Sequence, residues 1–182
     1  VRNFLLLIFS LIFYYKISGI TVLVLIAIAT SDYLIAKRIY STKKNAIRTF
    51  WFVVSLFISI GSLIFFKYSE FFINNWLLIT QSTLEPIKFN LISTIGISFF
   101  IFKTISYIID VYQETIDTPE KNYINYLTYL SFFPNLLAGP ITKATELLPQ
   151  IKGQLIIDNT KIGGGLFLIV IGAIKKYAIA DY

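Results

Sequence analysis

Histidine, cysteine and methionine are all absent from this 182-residue chain, and charge is scarce. Without histidine it lacks the commonest general base and the commonest metal ligand. Without cysteine it can form neither a disulfide framework nor a thiolate metal site. Ser–His and Cys–His nucleophilic pairs are therefore excluded, and no paired carboxylates stand at useful spacing inside an apolar segment. Neither a complete active site nor a metal site is expected within these residues. The missing methionine, with Val1 at the start, points to a piece of a longer polypeptide. Charged residues make up 14% of the chain, against about 25% in an ordinary soluble domain.

What fills the chain instead is apolar. Hydrophobic residues reach 56% and aromatics 17%, and the mean hydropathy is +0.72. There is too little polar surface to cover a soluble globule, so an all-α, polytopic transmembrane helix bundle is expected. The formal charge is +6, but the basic residues punctuate apolar runs rather than forming one polar face, which argues against nucleic acid as a partner. They are densest at Lys37, Arg38, Lys43, Lys44 and Arg48. A basic cluster between two apolar segments reads as a cytoplasmic loop.

The run Phe4 to Tyr15 is apolar but short for a span, which needs roughly 20 residues. Lys16, Ser18 and Gly19 follow it, leaving two short tilted helices or one broken helix open. A second helix is expected from Gly19 to Tyr40, with Asp32 towards its basic end. Thr49 to Phe66 is charge-free, lies between Arg48 and Lys67, and has aromatics at both ends, as a membrane span would. Phe71 to Leu84 carries Asn74, Asn75, Gln81 and Ser82 and reads as interfacial or re-entrant. The next span is Phe89 to Val111. Pro119 is placed to open a helix, and the apolar helix Asn122 to Phe133 ends at Pro134. A last helix begins near Ile162 with three glycines and ends at Lys175 and Lys176. The glycines suit close helix packing, and no P-loop lysine follows them. Five to six membrane helices are expected, forming one membrane domain over residues 1–182. With the Lys37 to Arg48 loop inside, the third helix runs outward and Phe89 to Val111 returns.

Two segments carry the candidate chemistry. In Ser131-Phe132-Phe133-Pro134-Asn135-Leu136-Leu137-Ala138-Gly139-Pro140-Ile141 the backbone is broken by two prolines and a glycine. Irregular backbone at membrane depth survives only when buried in protein or lining a wet cavity. Pro134, Gly139 and Pro140 are thus candidates for a substrate-tunnel wall; the competing reading is an interfacial turn. In Gly96-Ile97-Ser98-Phe99 through Tyr112, the residues Lys103, Tyr107 and Asp110 share one helical stripe. Lys103 and Asp110 are about 10 Å apart, too far for an ion pair. Intramembrane charges tend to face a bundle interior and mark function. The competing reading has Lys103 snorkelling and Asp110 at the water boundary.

These segments, followed in order by Pro149-Gln150 and by Lys175-Lys176 with Ile179-Ala180-Asp181, resemble the membrane-bound O-acyltransferase (MBOAT) family. The likeness is to its bacterial branch of alginate O-acetyltransferases and teichoic-acid D-alanyl transferases. Asp32-Tyr33 and Phe66-Lys67-Tyr68 extend it upstream. The resemblance implies a many-helix enzyme of the bacterial cytoplasmic (inner) membrane. It would move an acyl group, acetyl by the nearest likeness, from a cytoplasmic thioester donor to a hydroxyl of an exported polysaccharide. That donor is acyl-CoA or an acyl-carrier thioester, used as a substrate with no bound cofactor. Implied partners are the lipid bilayer, the donor or its carrier protein, and an extracytoplasmic acyltransferase or polysaccharide export protein. The family's essential histidine lies downstream of the Ile-Ala-Asp segment and so beyond Tyr182, and no catalytic residue carries over. The family often has glutamine where Lys103 stands, which points to a different donor or acceptor. A transporter or flippase subunit, and a truncated protein without catalytic function, are the competing functional readings.

Overall fold

The computed structural model describes residues 2–80, 96–136, 139–153 and 159–180. All the regular structure among them is helical. The chain divides into two compact units, Val1–Lys152 and Gly153–Tyr182.

In the first unit α1 (Arg2–Ser18) and α2 (Thr21–Ser41) are separate helices. The joint is Gly19, whose φ of 58° is the left-handed conformation that a Cβ disfavours. Gly19 N donates to Tyr15 O at 2.8 Å, closing the end of α1. α2 packs on α3 (Asn45–Leu63), and both pack on α5 (Ile97–Tyr112). The buried residues of α2 recur on one face: Leu25, Ile28, Ala29, Asp32, Tyr33, Ile35, Ala36 and Ile39, as an amphipathic helix against a core requires.

The third helix runs further than the sequence suggests. A π-helical turn, Ile64–Tyr68, joins α3 to α4 (Ser69–Ile79), making one helix over Asn45–Ile79. Phe71 to Ile79 is therefore a continuation of the span rather than a separate interfacial segment. The rest of that expected segment, residues 81–84, lies outside the described residues, as does 89–95 of the next expected span. Lys67 sits within the π turn and reaches Ser98 Oγ at 3.2 Å. A lysine marks where a helix meets polar surroundings, but it does not stop backbone hydrogen bonding.

Asn45–Ile79 is the one helix among the described residues that is long and apolar enough to cross a membrane. Only 11% of its most apolar 18-residue window is buried, which is unlike the core helix of a soluble protein. Phe50, Val53, Phe57, Ile60, Ile64 and Phe65 point outward from it. An apolar outer surface this large is stable where the surroundings are apolar too.

After α5 the chain bends through residues 113–122, and Pro119 lies in that connection rather than opening a helix. α6 (Tyr123–Ser131) is opened by Asn122, whose Oδ1 accepts the amide of Ile124 at 2.9 Å. The break expected from Pro134 onward is present, but Pro134 falls inside a single helical turn, α7 (Phe133–Leu136). There its missing N–H is not needed. Irregular chain follows to α8 (Ala144–Lys152), which holds Pro149 within it and packs on α6. Arg2 Nη2 donates to Ile151 O, fastening the start of α1 to the end of α8.

The second unit, taken by itself, is α9 (Asn159–Ile174) continued by a π-helical turn, Lys175–Ala180. It starts earlier than Ile162 and does not stop at the two lysines. A Cβ at Gly163, Gly164 or Gly165 would meet nothing within 4 Å.

Candidate functional site

α5 carries the candidate stripe into the interior. Lys103, Tyr107 and Asp110 are all buried on one face of it, Lys103 at 1% exposure. A lysine at that depth normally needs a carboxylate or several acceptors. Lys103 Nζ has instead one hydrogen bond, to Tyr129 O at 3.3 Å, and stands 5.5 Å from the Tyr129 ring centre. No ion pair to it is formed among the described residues. The snorkelling alternative does not hold within this unit, since the ammonium turns inward.

One turn along, the Tyr107 hydroxyl accepts the Glu120 amide at 2.8 Å. Its ring packs on Tyr126 of α6, centre to centre 4.7 Å. Tyr126 also meets Tyr33 at 5.6 Å and Tyr129 at 6.4 Å, and Tyr33 meets Tyr123 at 5.2 Å. A tyrosine cluster thus fills the space between α2, α5 and α6. Its centre, the Tyr126 hydroxyl, is buried and finds no hydrogen-bond partner among the described residues. Asp110 Oδ2 is orphaned in the same way, although the charge of Lys143 acts on its carboxyl group. Buried polar atoms without partners are uncommon, and each asks for a reason.

The broken segment is joined to this face by its far end. Tyr129 donates its hydroxyl to Thr142 O at 3.2 Å, and Asn135 Nδ2 reaches Thr142 Oγ1 at 3.3 Å. Pro134, Gly139 and Pro140 themselves are exposed, not buried with the α5 stripe. Gly139 has φ 155°. Lys103, Tyr107 and Asp110 are therefore brought together on one buried face, while the two prolines and the glycine are exposed, with Thr142 and Lys143 just beyond them linked to Tyr129 and Asp110. Residues 137 and 138 of the segment lie outside the described residues.

Asp32 was not among the sequence candidates, although it is fully buried. Its Oδ1 accepts from Ser55 Oγ at 2.5 Å and its Oδ2 from Ser59 Oγ at 3.2 Å. Ser59 lies 3.4 Å from Thr104 Oγ1. The signal was available: two serines four residues apart in a charge-free helix make a polar stripe, and a stripe of that kind must face a polar partner.

Below the tyrosine cluster, Glu120 closes the connection between α5 and α6. Its Oε1 accepts the Asn122 amide at 3.0 Å and its Oε2 binds Lys152 Nζ of α8 at 2.8 Å. Burial pushes this carboxyl up, but the Lys152 hydrogen bond and charge and the Asn122 amide outweigh it and hold it below the usual glutamate range. A depressed folded value means that the contribution is complete above the ordinary value of 4.5 and is lost as pH falls through the folded value. Thermal unfolding of the wild type is therefore expected to lose stability on acidification below about pH 4.5. Glu120→Gln should remove that part of the acid limb while lowering stability at neutral pH. An unchanged acid limb in the variant would rule Glu120 out as its source.

An apolar exterior, a helix able to cross a membrane, and an interior seam of lysine, carboxylates and tyrosines together describe an integral membrane protein with a polar core. Comparison with known proteins gives the family. Over 96% of its length the chain is 32% identical to the peptidoglycan O-acetyltransferase of Helicobacter pylori, of which it covers 38%. It is 34% identical over 99% of its length to the probable alginate O-acetylase AlgI of Pseudomonas syringae pv. tomato, covering 35% of that protein. The corresponding protein of Azotobacter vinelandii is 33% identical over 99% of this chain and is covered to 36%. The chain belongs to the membrane-bound O-acyltransferase family, and it spans about a third of the length of these relatives. No family model and no solved structure matches it.

Proposed function

We propose that the complete protein is a multi-pass O-acyltransferase of the bacterial cytoplasmic membrane, and that this chain is part of its helical bundle. The observation that carries this is similarity to named O-acetyltransferases along nearly the whole chain. The group moved is acetyl, the donor is a cytoplasmic thioester (acyl-CoA or an acyl carrier), and the acceptor is a hydroxyl of an exported polysaccharide. A general base takes the hydroxyl proton, the oxygen attacks the thioester carbonyl, and the carbon–sulfur bond breaks to release the thiol. The base is a histidine outside this chain. Lys103, Tyr107 and Asp110 line the polar passage to it, while Pro134, Gly139 and Pro140 shape the break beside that passage. A carrier protein on the donor side and an extracytoplasmic acyltransferase or export protein on the acceptor side complete the pathway.

The test is direct. Inverted membrane vesicles carrying the complete protein are supplied with labelled acetyl thioester, and O-acetyl groups are counted on the exported polysaccharide. Label on the polymer that disappears when the gene is deleted and returns on complementation is the expected result. Equal O-acetylation with and without the gene would overturn the proposal.

A further inference from the structure

Asp32 carries a charge that the first unit encloses without answering. Its carboxyl group, on α2, lies against Ser55 and Ser59 of α3, and Ser59 in turn lies against Thr104 of α5. None of the four residues is more than 1% exposed. No ion pair reaches Asp32 among the described residues. Lys37, further along α2, rests 4.1 Å above the Tyr33 ring, and Lys103, next to Thr104, turns to Tyr129 O. A carboxylate sealed in an apolar bundle needs a positive partner, and acids inside membrane proteins mark the places where ions or protons are held.

The hydroxyl groups around it are one hydrogen short. Ser55 Oγ meets Asp32 Oδ1 at 2.5 Å, and Ser59 Oγ meets Asp32 Oδ2 at 3.2 Å and Thr104 Oγ1 at 3.4 Å. Thr104 Oγ1 also meets Ile101 O at 2.8 Å. Three hydroxyl groups bring three hydrogens to these four contacts, so one pair of oxygens faces with lone pairs alone. Tyr126 adds a second sign. Its hydroxyl is buried without a hydrogen-bond partner among the described residues, and it is close enough for the Asp32 charge to act on it. Oxygen donors with one carboxylate, and no nitrogen or sulfur, suit a hard cation. A single negative charge is balanced by a single positive one, which argues against a divalent ion in so dry a place.

We infer that Asp32, Ser55, Ser59 and Thr104 bind a monovalent cation, sodium by the closeness of the oxygens, and that the ion fastens α2, α3 and α5 to one another. The site is separate from acyl transfer and does not depend on it. The experiment uses the complete protein in phosphatidylcholine nanodiscs, with choline chloride replaced stepwise by sodium chloride at constant ionic strength. Thermal unfolding and retention of radioactive sodium are read on the same preparation. Sodium should raise the unfolding midpoint along a saturating curve, because an ion held only by the folded state stabilises it. Potassium, being larger, should need higher concentrations for the same rise.

Asp32→Asn should abolish both the shift and the retained sodium. Ser59→Ala takes away one oxygen and should weaken sodium binding about tenfold. Glu70→Gln, at an exposed acid of α4, should leave it unchanged. Equal midpoints in sodium and choline overturn the site, as does an Asp32→Asn variant that still responds to sodium. A midpoint that moves with pH and not with sodium means that a proton fills the place, which overturns it too. Should Asp32→Asn not fold, Ser59→Ala and Thr104→Val decide: a sodium response at the wild-type concentration in both ends the inference.

Discussion

Replacing Lys103 by methionine is expected to leave the helices packed and to slow acyl transfer by the complete protein about a hundredfold. The two effects separate because of how this lysine is held. Its ammonium is buried, with a single 3.3 Å hydrogen bond to Tyr129 O and no carboxylate counterpart among the described residues. A buried charge so poorly matched adds little to stability, and an apolar side chain of similar length is often neutral or stabilising in its place. A preorganised donor at a substrate oxygen, the role the proposed passage gives Lys103, in contrast accounts for about 10²–10³ in rate where one has been removed from other sites. Thermal unfolding and O-acetyl transfer measured on the same preparation check both halves. If stability and transfer fall together, Lys103 is a structural residue. Transfer at the wild-type rate would remove it from the passage altogether.

The largest stability effect is expected at Tyr126. Truncation to alanine empties the centre of the tyrosine cluster, taking away the ring that meets Tyr33, Tyr107 and Tyr129. Loss of a buried aromatic ring costs about 3–5 kcal/mol. Phenylalanine should behave in the opposite sense. The Tyr126 hydroxyl has no hydrogen-bond partner among the described residues, so removing it deletes an unsatisfied group and no bond. Tyr126→Phe is therefore expected to equal or exceed the wild type in stability. A matched set of unfolding curves for the two variants decides. A phenylalanine variant as unstable as the alanine variant would mean that the hydroxyl is bonded after all.

Much of this was legible in the sequence. The break after α6 and the single polar stripe on α5 follow from proline and helical spacing, whereas the sequence leaves open whether the run before Gly19 is a separate helix. Other boundaries mislead for one reason. Lys67 and the Lys175-Lys176 pair read as helix ends, yet each lies within a continuing helix that widens into a π turn. Charge reports the polarity of the surroundings and says little about whether the backbone keeps its hydrogen bonds. Pro119 misleads for the reverse reason. A proline is permitted at a helix start, but Asn122 offers an oxygen to Ile124 N and thereby sets where α6 begins.

The site was half legible. Residues three and four apart on α5 could be grouped by arithmetic, whereas Tyr126, Tyr129 and Asp32 reach the same interior from other helices. Their meeting depends on tertiary packing, which no local pattern in a single sequence encodes. Asp32 is the instructive case. Its partners lie 23 and 27 residues away, and only the Ser55 and Ser59 stripe hinted at them.

The unbroken helix Asn45–Ile79 has a mechanical consequence. Its 35 residues make a rod of about 52 Å at 1.5 Å per residue, while the oily layer of a bilayer is about 30 Å deep. Leaning the rod until it fits would take about 55°, well beyond the 0–40° found for membrane helices. One end must stand clear of the oil. The Ser69–Ile79 end is the awkward one to leave in water, since Phe71, Phe72, Trp76, Leu78 and Ile79 are all uncovered there. Stiff and sticky, that mast should settle against headgroups or another polypeptide, and the widened turn at Ile64–Tyr68 is where it can flex to do so.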